Sequence, residues 1–176
     1  YGNRLNMICN FSGFFPNDKK LLDRYCDLVS EEYSEVDLLG IMNVLGEDFV
    51  VKNFCCNTKL TRLEVVDPIF WSYALEGKKV LVIHPMSKTI EKQYSNKQEK
   101  IYAGTNILPK FQLSTIKAIQ TISGQKDERF STWFDALNYM KSQIDKQDFD
   151  IALIGAGAYG FPLAVHVKRI GKKAIH

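Results

Sequence analysis

Three groups of residues have the types and spacing for chemistry: a glycine turn, a histidine-led loop and a pair of carboxylates. Gly155, Gly157 and Gly160 stand at G-x-G-x-x-G spacing directly after the apolar run Ile151-Ala152-Leu153-Ile154. Such a run, closed by glycines, reads as a strand buried on both faces of a parallel sheet. A turn of this kind exposes backbone N–H groups at a helix start, where unpaired donors and the helix dipole attract phosphate. The chemistry implied is binding of a nucleotide or nucleotide sugar, with Gly155, Gly157, Tyr159 and Gly160 as its contacts. The same glycines also serve close packing of strand on helix. The acidic ribose ligand of dinucleotide-binding turns, about twenty residues further on, would fall where His176 stands. Classical NAD binding therefore has no support.

The second group is His84-Pro85-Met86-Ser87-Lys88-Thr89. It offers an imidazole, two hydroxyls and a helix start, which suits a phosphate or a sugar hydroxyl. Lys88 is placed to neutralise a diphosphate. His84 stands at a strand-to-helix mouth, whereas His166 lies on a helix and His176 at the chain end. Glu91, one turn into the helix, is the candidate acceptor of a sugar hydroxyl or general base. Each has a plainer role beside it: a hydrogen-bonded histidine, a capped turn with an exposed lysine, a solvated glutamate.

The third group, Asp148 and Asp150, forms a D-x-D pair. Hard carboxylate oxygens in that pattern hold Mg or Mn against a leaving diphosphate. These two precede the strand, so they belong at the amino-terminal edge of the sheet, opposite the expected site, and read as capping and solvating residues. Cys9, Cys26, Cys55 and Cys56 lack the C-x-x-C pairs of a zinc site and do not form a disulfide framework, so all four are expected as reduced thiols. No metal ligand is assigned. The Walker pattern and the G-x-S-x-G elbow do not occur.

The elements that must position these groups alternate. Leu5, Met7, Ile8 and Phe11 predict a helix ending near Gly13, and Asp18 to Ser34 a second, capped by Asn17 or Asp18. Val36 to Met42 reads as the first strand, Phe49 to Asn53 as strand or helix, and Lys59 to Val66 as extended. Pro68 to Leu75, with Trp71 and Tyr73, reads as a short helix or aromatic turn ending at Gly77, whose rings are expected in the core rather than as a sugar-stacking platform. Lys78 to Pro85 is the second strand and Ser87 to Glu99 a helix capped by Ser87 or Thr89. Phe111 to Thr121 is expected to carry a third strand around Ile116 to Ile119, although Leu113, Ile116 and Ile119 also stand at helical spacing. Glu128 to Lys146 carries an apolar stripe of Phe130, Trp133, Phe134, Leu137, Met140 and Ile144. After Ile154, Leu163, Ala164, Val167 and Ile170 keep helical spacing up to Gly171, a left-handed cap, and Lys173 begins another strand.

This alternation implies an α/β domain with a parallel sheet, helices on both faces and right-handed crossovers. Ligands of such sheets bind beyond the carboxyl ends of the strands, which selects Asn43, His84 to Thr89, and Gly155 to Tyr159 as groups expected to converge. At 176 residues, 45% hydrophobic and 24% charged, the chain is expected to form one domain, 1–176. Tyr1 is not an initiator Met and the last residues begin a strand, so a longer parent is expected. A net charge of +3, with lysines scattered among acids, gives no reason to expect a nucleic-acid partner. No apolar run approaches the roughly 20 residues of a membrane span, and a cytoplasmic location is expected.

Asn10 to Asp18, Trp71 to Pro85, Phe149 to Ala164 and Gly171 to His176 together resemble bacterial GT-D-fold glycosyltransferase-like proteins of capsule and exopolysaccharide biosynthesis. The resemblance implies a Rossmann-like domain that takes a nucleotide-activated sugar, of the nucleoside diphosphate type, and transfers the sugar to a glycan or glycosylated acceptor. It implies His84, Ser87, Thr89 and the glycine turn with Tyr159 as neighbours of the site. Related enzymes place a D-x-E element for donor and divalent cation, Mn or Mg, in an R-x-G-D-G-E-like stretch near the domain start. Tyr1-Gly2-Asn3-Arg4 does not match it, so the element is expected upstream or is missing in this branch.

Overall fold

The computed structural model describes residues 2–63, 67–105, 107–125 and 127–176. The elements follow in the order α1 (Gly2–Ser12), α2 (Lys19–Glu32), β1 (Leu38–Ile41), α3 (Glu47–Phe54), β2 (Lys59–Arg62), β3 (Lys79–His84), α4 (Ser87–Lys97), β4 (Gln112–Lys117), α5 (Trp133–Ile144), β5 (Ile151–Ile154), α6 (Gly160–Arg169) and β6 (Lys173–Ile175). Local chemistry sets many of the boundaries. The Asp18 side chain accepts the Leu21 N–H and starts α2. Thr132 and Asp135 form a reciprocal capping box that starts α5. Gly171, at a φ of +79°, takes the left-handed conformation that ends α6.

β3 to β6 form a parallel sheet in the order β4-β3-β5-β6. Ile83 is level with both Ile116 and Ile154, and Leu153 with Ile175. Successive side chains point to opposite faces. Leu81, Ile83, Ile116, Ala152 and Ile154 therefore share one face, buried under Trp133, Leu137 and Met140 of α5 and Leu163 and Val167 of α6. Each fully buried aliphatic side chain there contributes about 1.5–3 kcal/mol relative to exposure. The other face, with Val80, Val82 and Thr115, lies under α4. The fold is thus α/β and Rossmann-like, with parallel strands flanked by helices on both faces. Among the described residues, no helix is long and apolar enough to cross a membrane.

Several expectations are corrected. The first strand does not join the main sheet: among the described residues β1 pairs only with β2, in a separate two-stranded parallel unit. The ambiguous Phe49 to Asn53 segment is the helix α3. β2 covers Lys59–Arg62, and residues 64–66 of the expected extended stretch lie outside the described residues. β4 runs over Gln112–Lys117 rather than around Ile116 to Ile119, because it pairs residue for residue with β3. Ala118 and Ile119 are apolar for another reason, since they turn under α5, where the Ile119 N–H meets Met140 Sδ at 3.4 Å. The turn at 68–75 is two short 3-10 segments; Leu75 is buried but Tyr73 remains 67% exposed, so that ring is not core. Phe130 precedes α5 and packs on Tyr139, with ring centroids 5.2 Å apart.

Candidate functional site

The strand order creates one topological reversal. β3 leads through α4 to β4 on one side, whereas the chain returns past β3 to place β5 on its other side and continues outward to β6. The loops after β3 and β5 therefore leave toward opposite faces, the arrangement that in open α/β sheets leaves a crevice for ligands at the carboxyl edge. His84 ends β3 and Gly155 follows β5, so two of the expected groups meet here.

His84 is half-buried and its orientation is fixed. Its Nδ1 accepts the Met86 N–H at 3.0 Å, so the proton of the neutral ring belongs on Nε2. The ring lies across Gly155: a Cβ built there would be 2.8 Å from Cδ2 and 3.4 Å from Nε2 of His84. Gly155 is exposed and its N–H is satisfied by the Ile83 carbonyl at 2.9 Å. On the far side of the turn, Gly157 has φ +56° and faces the Ser12 carbonyl, 3.2 Å from its would-be Cβ. A carbonyl oxygen is an acceptor, which disfavours phosphate there, so the His84 side is the favoured anion approach.

The third glycine is held for a related reason. His176 lies over Gly160, its Cε1 only 2.1 Å from where a Cβ would be. Its Nδ1 is 3.2 Å from the Ile154 carbonyl, to which it donates. His176 is level with Ile154 across the β5–β6 register, and His84 with Gly155 across β3–β5, so the two imidazoles lie on opposite faces of the sheet with the glycine turn between them. In the sequence His176 is only a residue at the chain end. Only its pairing level, one strand from Ile154, could have placed it beside the turn.

The remaining candidates separate. Ser87 is buried at the first position of α4, while Lys88 and Thr89 are exposed in its first turn. Met86, not Ser87 or Thr89, occupies the cap position, with no side-chain cap bond. Glu91 faces β4 and accepts from the Thr115 hydroxyl, away from the crevice. Tyr159 is 1% exposed and stacked on Trp133 at 5.0 Å and 9°, with its hydroxyl 3.4 Å from Thr121 Oγ1. Burial pushes its phenol well above the usual tyrosine range. It supports the turn from below and does not line the crevice. Asn43 follows β1 in the separate unit, where its N–H donates to Glu47 Oε2 at 2.6 Å.

Asp148 and Asp150 are at the amino edge, as their sequence position requires. Asp150 Oδ2 accepts the Lys79 N–H at 2.8 Å, and Asp148 pairs with Lys79 Nζ at 2.5 Å. These bonds tie β5 to the start of β3. Among the described residues, no three His, Cys, Asp or Glu side chains group together, and no step is assigned to a divalent cation. Cys9, Cys26, Cys55 and Cys56 are free thiols. Two surface depressions lie outside the crevice: one of about 490 Å³ beside the end of α4, and one of about 500 Å³ beside β4. No family model matches the chain, and no curated protein or solved structure matches it either.

Proposed function

We propose that this domain binds a nucleotide-activated sugar at the β3–β5 switch point and acts as a glycosyltransferase in bacterial surface polysaccharide or glycoprotein glycan synthesis. The observation that carries this reading is the contact of the His84 ring with the exposed Gly155 turn at the one reversal of strand order. The donor diphosphate rests between that turn and the start of α4, with Lys88 as its mobile counter-charge. His84 presents Nε2–H and so acts as a donor, to a diphosphate oxygen or a sugar hydroxyl. In transfer, the bond from the anomeric carbon to the diphosphate oxygen breaks with its electron pair going to that oxygen, while an acceptor hydroxyl oxygen bonds to the carbon and passes its proton to solvent. Negative charge grows on the leaving diphosphate, where fixed N–H donors are most effective.

One observation favours a second reading, a nucleotide-binding module without turnover. Glu91, the candidate base, is turned toward Thr115 on β4.

A thermal-shift screen against UDP, GDP, CMP, TDP, their sugar conjugates and NAD, each with and without Mn, tests the donor site. A ligand at one hundred times its Kd adds about 2.7 kcal/mol of stability. A shift with one nucleoside diphosphate, abolished in a folded Gly155→Val variant, is the expected result. Release of free nucleotide from the matching sugar conjugate in the presence of acceptor separates transfer from binding alone. No shift with any nucleotide would sink both readings.

A further inference from the structure

The depression beside β4 has a distinct chemistry. It is formed by the end of β4, the loop that follows and the outward side of α5, and its volume of about 500 Å³ is within the ~300–1,000 Å³ range of ligand sites. Four of the chain's seven glutamines line it: Gln120, Gln125, Gln143 and Gln147. Tyr139 joins them, 38% exposed. Its ring is held by Phe130, packed against it at a tilt, and by the Arg129 guanidinium, whose Cζ lies over the ring 5.4 Å from its centre.

Charge in this cleft is mostly cancelled. Asp127 accepts from Arg129 Nε at 2.8 Å and from Nη2 at 2.6 Å, and its carboxyl is held below the usual range chiefly by that guanidinium. Among the described residues, Lys117 is the one charged lining residue outside the pair. A phosphorylated ligand calls for several uncompensated cations, which the described lining does not supply. Primary amides instead pair a donor and an acceptor in one plane, matching adjacent hydroxyls, and an aromatic face accepts the C–H side of a sugar ring. The amides come from α5 and the loop as well as from the strand end, which suits a compact polyhydroxylated ligand better than a peptide added along the β4 edge.

The cleft also has the right address. The Ala118 N–H donates to the His84 carbonyl at 3.2 Å, so its β4 end starts one strand away from His84, a lateral step of about 4.8 Å. We propose that this cleft binds a neutral glycan, with a sugar ring on Tyr139 and hydroxyls on the glutamine amides, and that this glycan is the acceptor. The acceptor role rests on the donor reading above; the neutral-sugar site does not.

The test is an NMR titration of the ¹⁵N-labelled chain with millimolar maltotetraose, cellotetraose, chitotetraose and mannotetraose. Expected are shifts of the Gln125, Gln143 and Gln147 side-chain amides with at least one sugar, a loss of affinity of about tenfold in Tyr139→Ala, and retention in Tyr139→Phe. Nucleotide affinity should not change in Tyr139→Ala. No shift with any of the four, or equal affinity in a folded Tyr139→Ala variant, overturns the inference even if nucleotides bind at the switch point. Shifts of β4 main-chain amides with an extended tetrapeptide, and none with the sugars, overturn it in favour of a peptide site. Sugar binding without any nucleotide binding leaves the sugar site standing and removes the donor reading.

Discussion

A methyl group on Gly155 would lie 2.8 Å from Cδ2 of His84, too close for two carbon atoms that do not move. The glycine and the histidine are therefore one structural unit at the switch point. In Gly155→Ala the ring must swing off the Met86 N–H. Because the ring is the free end of a side chain, the stability loss should stay below about 1 kcal/mol. Nucleotide affinity should fall about tenfold, or 1.4 kcal/mol. Calorimetric titration of the single variants and of Gly155→Ala/His84→Ala checks this: once His84 is gone, Gly155→Ala should cost nothing further, a non-additivity expected only of groups in contact.

Gly157→Ala should be costlier to folding. Its φ is +56° and its Cβ would meet the Ser12 carbonyl, a backbone atom that cannot rotate away. The left-handed backbone alone costs about 1–2 kcal/mol in a residue with a Cβ. Urea denaturation should show at least that loss, whereas Gly46→Ala, strained in φ but with open space around it, should lose no more than that.

Tyr159→Phe separates a core role from a ligand role. The hydroxyl's bond to Thr121 is long at 3.4 Å, so its removal should cost no more than about 0.5–1.5 kcal/mol. Nucleotide affinity should be unchanged. A fall in affinity without a fall in stability would return Tyr159 to the site.

Glu32 makes stability depend on pH. It is buried between α2, α5 and α6, with Oε1 3.3 Å from Arg169 Nη1 and Oε2 without a partner. Burial raises its carboxyl, against the opposing pull of Lys141 and Arg169 and with the push of Glu35 and Glu31. A raised folded-state value means that the protonated form is favoured by folding. Its stabilisation is complete below the ordinary value of 4.5 and is lost as pH rises from there through the folded-state value. Guanidinium midpoints measured from acid to neutral pH should fall across that window, and Glu32→Gln should flatten the fall. An unchanged slope in Glu32→Gln would show that the carboxylate is already fully compensated.

Local signals made part of this protein legible from sequence. The apolar run Ile151 to Ile154 is β5 residue for residue, Asp18 caps α2, and Gly171 ends α6, because each depends on neighbours within a few positions of the chain. The amino-edge place of Asp148 and Asp150 follows from the same local logic, since a residue before a parallel strand cannot reach its carboxyl end. His84 and the glycine turn could be named as separate walls, but nothing local says that they touch.

Tertiary pairing alone decided the rest. That β5 lies beside β3 puts the His84 ring on Gly155, and that β6 lies beside β5 puts His176 on Gly160. The same packing turns Glu91 toward Thr115, buries Tyr159 under Trp133, and leaves β1 and Asn43 in a separate unit. A glutamate on a helix and a tyrosine in a turn have the same local pattern whether they face a ligand or a neighbouring strand. The difference lies in contacts between residues far apart in the chain, whose geometry is fixed only when the sheet order is fixed.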